Sequence, residues 1–283
     1  MAERPGGWHP PDLSGRIALV TGASRGVGRG VAEVLGECGA TVYVSGRSVA
    51  GRPSAEGAPG TIEETAELVT AAGGSGIAMA CDHGDDEQVA DLLAQIRSRS
   101  GSLDLLVNNA WGGYERYDPA NFQLPFWQAP PELWQRMVNG GPRLQYLTAR
   151  QAAAIMVEQG SGLIIGTASG DRGRYLGGVV YDVAKAAALR MGWGMARELR
   201  PHGVTALMLL PGFTRTEAVM AGYDGDLAPT HSTHYVGRAV AELAADPDVM
   251  RRSGEQLRVA DVAEQYGFRD VDGRLVPPFE LPD

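Results

Sequence analysis

The chain has 283 residues, 44% of them hydrophobic and 21% charged, with a formal charge of −9 from 25 Lys plus Arg against 34 Asp plus Glu. That length supports a sizeable buried core without covalent staples, and a net negative chain with no basic run excludes an electrostatic footprint for nucleic acid. Two cysteines, Cys38 and Cys81, fit buried reduced thiols rather than a disulfide framework, and no apolar stretch reaches the roughly 18 to 20 residues of a membrane helix.

The N-terminal lead, residues 1–13, is rich in Pro and Gly and has no apolar signal core, so a cytoplasmic location is expected rather than secretion. Strand patterns follow at Ile17 to Val20, Thr41 to Val44, Gly76 to Ala80, Leu105 to Val107, Leu163 to Gly166, Val204 to Leu210 and Gln256 to Val259. Helical patterns separate them, as in Val89, Leu92, Leu93 and Ile96, whose spacing makes one apolar stripe. Near-continuous apolar strands alternating with helices predict an α/β fold: a doubly wound, Rossmann-type parallel sheet of about seven strands in a single domain spanning 1–283. A Gly/Pro/Ser-rich insertion, Ser48 to Gly60, precedes a helix that Thr61 and Glu64 would open with a capping box. A C-terminal extension, 261–283, closes the chain.

The first strand runs into Thr21-Gly22-Ala23-Ser24-Arg25-Gly26-Val27-Gly28, inside which a helix begins. Glycines at a strand-to-helix turn let backbone amides and the positive helix end approach a pyrophosphate with no Cβ in the way; the bland alternative is a tight turn without a ligand. The second strand ends Val44-Ser45-Gly46-Arg47-Ser48, with no carboxylate to accept ribose hydroxyls and repel a 2′-phosphate. Arg47 offers that phosphate a cation, which favours NADP(H) over NAD, although an isolated arginine is most often a solvated surface group.

Further on, Gly166-Thr167-Ala168-Ser169-Gly170 leaves the fifth strand, and Tyr181-Asp182-Val183-Ala184-Lys185 opens a long helical pattern. Four residues apart on a helix, Tyr181 and Lys185 share a face. By itself such a pair is usually a solvated helix surface. Beside a Ser-bearing strand end at the carboxyl edge of a parallel sheet, it becomes a candidate proton-transfer pair, with the ammonium favouring the phenolate. His231 and His234 have helical spacing but no acidic or thiolate partners at recognisable positions, so no metal is expected.

The spacing Thr-Gly-x-x-x-Gly-x-Gly, with the Tyr-x-x-x-Lys pair, resembles the short-chain dehydrogenase/reductase family over roughly Leu13 to Val259. The resemblance implies catalytic roles for Asn139, Ser169, Tyr181 and Lys185. Thr167 is the substitute for Ser169, because Ser169 lies one residue nearer the tyrosine than is common in the family. It also implies a cofactor-binding set of Gly22, Ser24, Arg25, Gly26, Val27, Gly28, Arg47, Asp82, His83, Asn109, Tyr181, Lys185, Pro211, Gly212, Thr214 and Thr216. In that set Ser24 and Arg25 serve the phosphates, Asp82 the adenine, and the Pro-Gly turn with its threonines the nicotinamide. Gly140, Gly141 and Pro142 weaken the helix around Asn139, and a kink there is expected to free a carbonyl for the family's proton relay.

Trp111 departs from the pattern, replacing the glycine usual after Asn108-Asn109-Ala110 and either narrowing the cleft or adding packing. The ending with Arg269-Asp270-Val271-Asp272-Gly273-Arg274, and the insertion after Arg47, are similar to the subgroup of dehydrogenase/reductase SDR family member 1. The resemblance therefore implies reduction of a ketone, aldehyde or quinone, or the reverse oxidation of a secondary alcohol, by a homodimer or homotetramer. The alternatives are a non-catalytic nucleotide-binding regulator and an isomerase or dehydratase on the same scaffold.

Overall fold

The computed structural model describes residues 7–52, 57–114, 124–170 and 174–280; the first six residues of the lead, part of the insertion and the last three of the extension lie outside them. The seven strands are β1 (Ile17–Thr21), β2 (Thr41–Gly46), β3 (Ser75–Ala80), β4 (Leu105–Asn108), β5 (Gly162–Thr167), β6 (Val204–Leu210) and β7 (Gln256–Arg258). They pair in the order β3-β2-β1-β4-β5-β6-β7, every pairing parallel. The sheet is doubly wound, as the alternation of strands and helices predicts.

Strand pleating divides each apolar run between two cores. Val20, Val107, Ile165 and Leu207 face one side, packed with α1 (Gly26–Glu37) and α2 (Ile62–Ala72). Leu19, Leu106, Ile164 and Ala206 face the other, packed with α3 (Asp86–Ser100) and the long helices that follow. A strand buried on both faces cannot afford alternate polar residues, which is why these segments read as continuous hydrophobic runs. The capping box forms as expected, with Glu64 N–H donating to Thr61 Oγ1 at 3.2 Å and Thr61 N–H to Glu64 Oε2 at 3.2 Å.

The expected kink near Asn139 takes a specific form. A short α4 (Glu132–Trp134) continues as a π-helical turn, Gln135–Asn139, in which Gly140 N–H donates to the Gln135 carbonyl at 3.0 Å. Gly141, at φ −127° and ψ −100°, breaks the helix, and Pro142 starts α5 (Pro142–Gln159), where its missing N–H costs nothing. The remaining helices are α6 (Val179–Leu199), α7 (Glu217–Gly222), α8 (Thr233–Ala245) and α9 (Val259–Tyr266). Val259, expected in the last strand, instead opens α9: Val259, Ala260, Val262 and Ala263 are buried at helical spacing, so the residue serves the helix face.

Beyond α9 the chain folds back onto α8. Phe268 is buried edge-on to Tyr235 at 5.4 Å, and Asp270 is fully buried. Its carboxylate accepts from Ser232 N–H and Val271 N–H, each at 2.8 Å, and from the Ser232 hydroxyl, with Arg215 Nη2 at 3.4 Å. Asp270→Ala leaves Arg215 and the Ser232 amide without that carboxylate, so a loss of about 3 kcal/mol is expected. Urea unfolding checks this; a loss below about 1 kcal/mol contradicts the anchoring role.

Candidate active site

Strand order reverses between β1 and β4, and at that point the connections at the carboxyl edge diverge to leave a crevice. The glycine turn lines it. A Cβ on Gly22 would stand 2.8 Å from Ala110 Cα, and one on Gly28 would stand 2.5 Å from the Gly22 carbonyl oxygen. These two glycines let the turn lie directly against β4 and its loop. Gly26 has a positive φ of 61° and opens α1, whose first turn carries no acidic residue and whose preceding residue makes no side-chain cap. Its N–H donates instead to Glu217 Oε2 on α7 at 2.8 Å, with Arg29 Nη1 at 3.8 Å from the other carboxylate oxygen. An anion therefore stands on the positive end of α1, the position a phosphate-bearing ligand would use. Ser24 is buried in the turn, and Val27 packs partly into the core below.

The Arg25 guanidinium is committed to the neighbouring insertion: it donates to the Pro59 and Gly60 carbonyls at 2.9 and 3.0 Å and to Ser48 Oγ at 2.9 Å. It thereby fastens the insertion over the glycine turn. At the tip of β2, Arg47 is exposed, with Nη1 4.0 Å from Asp82 Oδ2. Asp82 also caps its own turn, accepting from Gly84 N–H at 2.9 Å. His83 is buried; its Nε2 lies 2.8 Å from Ser45 Oγ and its Nδ1 3.0 Å from Thr148 Oγ1. The imidazole therefore ties the end of β2 to α5, and burial pushes its pKa down to about 4.

Asn109 joins three strands. Its side-chain amide donates to the Thr21 and Gly22 carbonyls at 3.1 and 3.3 Å, and its Oδ1 accepts from the Thr167 hydroxyl at 3.3 Å. Thr167 is thus engaged in the strand tie. Ser169, by contrast, accepts from the Tyr181 hydroxyl at 3.2 Å. Of the two alternatives for a substrate-facing hydroxyl, only Ser169 meets the tyrosine. Asn139 lies on the π-helical turn with its side chain exposed, Nδ2 donating to Gln135 Oε1 at 2.5 Å.

Tyr181 and Lys185 are both buried on α6, with Lys185 Nζ 5.3 Å from the Tyr181 ring centroid. Burial pushes the Lys185 ammonium pKa down to about 7, with no carboxylate among the described residues offsetting the effect. Two residues outside the expected catalytic set complete this cluster, and the contact that Trp111 makes favours the cleft over packing alone. Lys185 Nζ lies 3.3 Å from the Trp111 ring centroid, and the Tyr114 hydroxyl donates to that of Tyr181 at 3.0 Å. The departure from glycine at Trp111 was a usable signal; Tyr114, on an irregular turn, had none. Composition held another clue: Lys185 is the only lysine in the chain, every other Lys-plus-Arg position being arginine.

Ser169 and Tyr181 line a cavity of about 160 Å³ together with Pro211, His231, Val259 and, from the C-terminal extension, Pro277 and Phe279. Gly212, at φ +80°, turns the chain after β6, and His231 Nε2 lies 2.5 Å from the Pro211 carbonyl oxygen. Thr216 caps α7, accepting from Val219 N–H at 3.3 Å, whereas the buried Thr214 hydroxyl has no hydrogen-bond partner among the described residues. His234 is paired with Glu33 at 3.1 Å, away from His231's contacts. Among the described residues no group of three or more His, Cys, Asp or Glu could hold a metal, and no helix is long and apolar enough to cross a membrane.

Comparison with known proteins identifies a family and relatives that the chain resembles. Residues 16–225 match the family model for short chain dehydrogenase. Mouse dehydrogenase/reductase SDR family member 1 is 36% identical over 94% of this chain and 87% of its own length. The 3-oxoacyl-[acyl-carrier-protein] reductase FabG of Vibrio harveyi is 32% identical over 88% of this chain and 97% of its own. A crystal structure from Xanthomonas campestris, assigned to the dehydrogenases, superposes with a TM-score of 0.80 at 26% identity, covering 96% of this chain and 98% of that one.

The buried imidazole at the rim of the crevice gives the fold an acid sensitivity. The folded state holds His83 neutral down to about pH 4, whereas the unfolded chain binds its proton near pH 6.5. Stability is therefore lost as pH falls through that window, by up to about 3 kcal/mol. Unfolding measured between pH 7 and 4 should show a shallower fall in His83→Asn than in the parent; parallel curves would exclude the assignment.

Proposed function

The chain belongs to the short-chain dehydrogenase/reductase family, and from that premise we propose that it is an NADP(H)-dependent oxidoreductase that reduces a ketone, aldehyde or quinone carbonyl and in reverse oxidises a secondary alcohol. The observation that carries the reading is the hydroxyl pair Tyr181–Ser169, 3.2 Å apart and lining the cavity, with Lys185 on the same helix face as the tyrosine. Nicotinamide, when bound, supplies or takes up the hydride. Tyr181 gives its proton to the carbonyl oxygen as negative charge develops there, or removes it from the alcohol in the reverse direction. Ser169 orients that oxygen by a hydrogen bond. Lys185 brings positive charge close to the phenolate left behind, and Asn139 on its π-helical turn belongs to the relay that restores the proton.

Cofactor binding follows from the same edge of the sheet. The Gly26 amide and the end of α1 accept the pyrophosphate in place of the Glu217 carboxylate, with Gly22, Ser24, Val27 and Gly28 shaping the turn. Arg47 meets the 2′-phosphate, and Arg25 contributes by holding the adjacent insertion through residues 58–60. Asp82 and the His83 backbone border the adenine side, while Asn109, Pro211, Gly212, Thr214 and Thr216 border the nicotinamide side. Assembly into a homodimer or homotetramer, in the cytoplasm, belongs to the same reading; Tyr146 on α5 and Trp193 on α6 expose apolar surface suited to it.

NADPH oxidation against a panel of ketones, aldehydes and quinones tests the proposal, with NADH as the alternative cofactor. Tyr181→Phe should lower kcat by about 10²- to 10⁴-fold, and Arg47→Ala should reduce the preference for NADPH by about tenfold or more. Unchanged turnover in the first variant refutes the proton role, and an unchanged preference in the second refutes the 2′-phosphate contact. Cofactor binding without turnover would point to a regulator, and product formation without net cofactor consumption to an isomerase or dehydratase.

Glu217 supplies an independent check. A carboxylate on the α1 terminus competes with phosphate, so Glu217→Gln should tighten NADPH binding by about two- to fivefold in a fluorescence titration. Weaker binding in the variant would instead make the carboxylate part of the cofactor site.

A further inference from the structure

We propose that Trp111 and Tyr114, on the turn after β4, are working parts of the proton-transfer centre: Trp111 as a positioning residue that holds the Lys185 ammonium on its ring face, and Tyr114 as a second hydroxyl donor to the Tyr181 oxygen. The inference rests on the oxidoreductase reading and extends it to two residues outside the Ser-Tyr-Lys set. Three aromatic rings meet here, with centroids 5.9 Å apart for Trp111–Tyr114, 6.1 Å for Trp111–Tyr181 and 6.2 Å for Tyr114–Tyr181. Lys185 Nζ sits 3.3 Å from the Trp111 centroid, well inside the distance at which a ring face attracts a cation. The indole N–H is buried without a hydrogen-bond partner among the described residues, so Trp111 engages the site through its face.

A buried lysine needs such a contact. Burial depresses its pKa, and the groups that meet its ammonium among the described residues are the rings of Trp111 and Tyr181, which pack in turn with Met137 of the π-helical turn. Among the described residues, His231 and Arg258 are the other titratable or charged groups lining the cavity with Tyr181. The π face offsets part of the desolvation and keeps the ammonium beside the tyrosine.

Tyr114 adds direction. Its ring is half-exposed, and the hydrogen bonds run from its hydroxyl to Tyr181 and from Tyr181 to Ser169. When Tyr181 has given its proton to the substrate oxygen, the O–H bond of Tyr114 breaks as a new one forms on Tyr181, and water reprotonates Tyr114. One solvent proton is thus consumed per carbonyl reduced. This is a hydroxyl route to solvent alongside the one through the Asn139 turn.

Because the chain contains a single lysine, isotope-labelled lysine gives one side-chain NMR signal, whose pH titration reports Lys185 directly. With or without NADP⁺, the midpoint in Trp111→Leu should fall by about half to one pH unit below that of the parent, while Trp111→Phe, which keeps a ring face, should stay close to the parent. A midpoint in Trp111→Leu that is unchanged or higher overturns the role of the ring. Labelled tyrosine, with the Tyr181 signal identified by its loss in Tyr181→Phe, reads the second half: in Tyr114→Phe that signal should titrate about one pH unit higher. An unmoved Tyr181 signal removes Tyr114 from the centre. Both titrations are independent of turnover, so an inactive protein would refute the oxidoreductase reading while leaving these results decisive. In an active one, Tyr114→Phe should move the pH profile of kcat for alcohol oxidation upward with little change in KM.

Discussion

Burial of the Lys185 ammonium is the constraint around which the carboxyl edge of the sheet is organised. A charged amine taken out of water is destabilised unless something replaces its hydration. Here the replacement is aromatic: the Trp111 face at 3.3 Å and the Tyr181 ring at 5.3 Å. Arginine, which carries every other basic side-chain charge counted with lysine in this chain, would stay protonated under any burial and could not respond to its surroundings. Lysine, unlike arginine, can shift its proton affinity with its surroundings, and the aromatic rings packed on Lys185 are part of those surroundings.

The same edge presents its second organising feature in the α1 terminus. Backbone amides at the start of a helix require an acceptor, and neither Arg25 nor a first-turn acid supplies one within the helix. Glu217 supplies it from α7, which links the segment after β6 to the glycine turn. Access to the start of α1 and the placement of α7 are consequently coupled through one carboxylate. The insertion is drawn into this arrangement as well, since Arg25 spans from the turn to the carbonyls of residues 58–60.

The C-terminal extension does more than terminate the chain. Buried Asp270 fixes it to Ser232 and Arg215, and from that anchor Pro277 and Phe279 reach the cavity beside Tyr181. Phe279 also meets Phe213 at 5.7 Å, so the wall of the cavity joins the extension to the turn after β6. A segment far from the glycine turn in sequence thereby helps shape the space next to the Ser169 and Tyr181 hydroxyls.

The architecture was legible in the sequence because burial on both faces leaves strands as uninterrupted apolar runs, and helix stripes such as Val89, Leu92, Leu93 and Ile96 carry their own period. The glycine turn and the Tyr181–Lys185 pair were legible for the same local reason: their spacing within one element determines which groups share a face or a turn. What the tertiary structure decided depends on contacts between distant segments. It joined Thr167 to Asn109 and Ser169 to Tyr181, set Glu217 against Gly26, turned Arg25 toward the insertion, and brought Trp111, Tyr114 and Phe279 to the cleft or its lysine. None of those meetings has a period or a spacing, because each is made by where separate loops come to rest over the edge of a completed sheet.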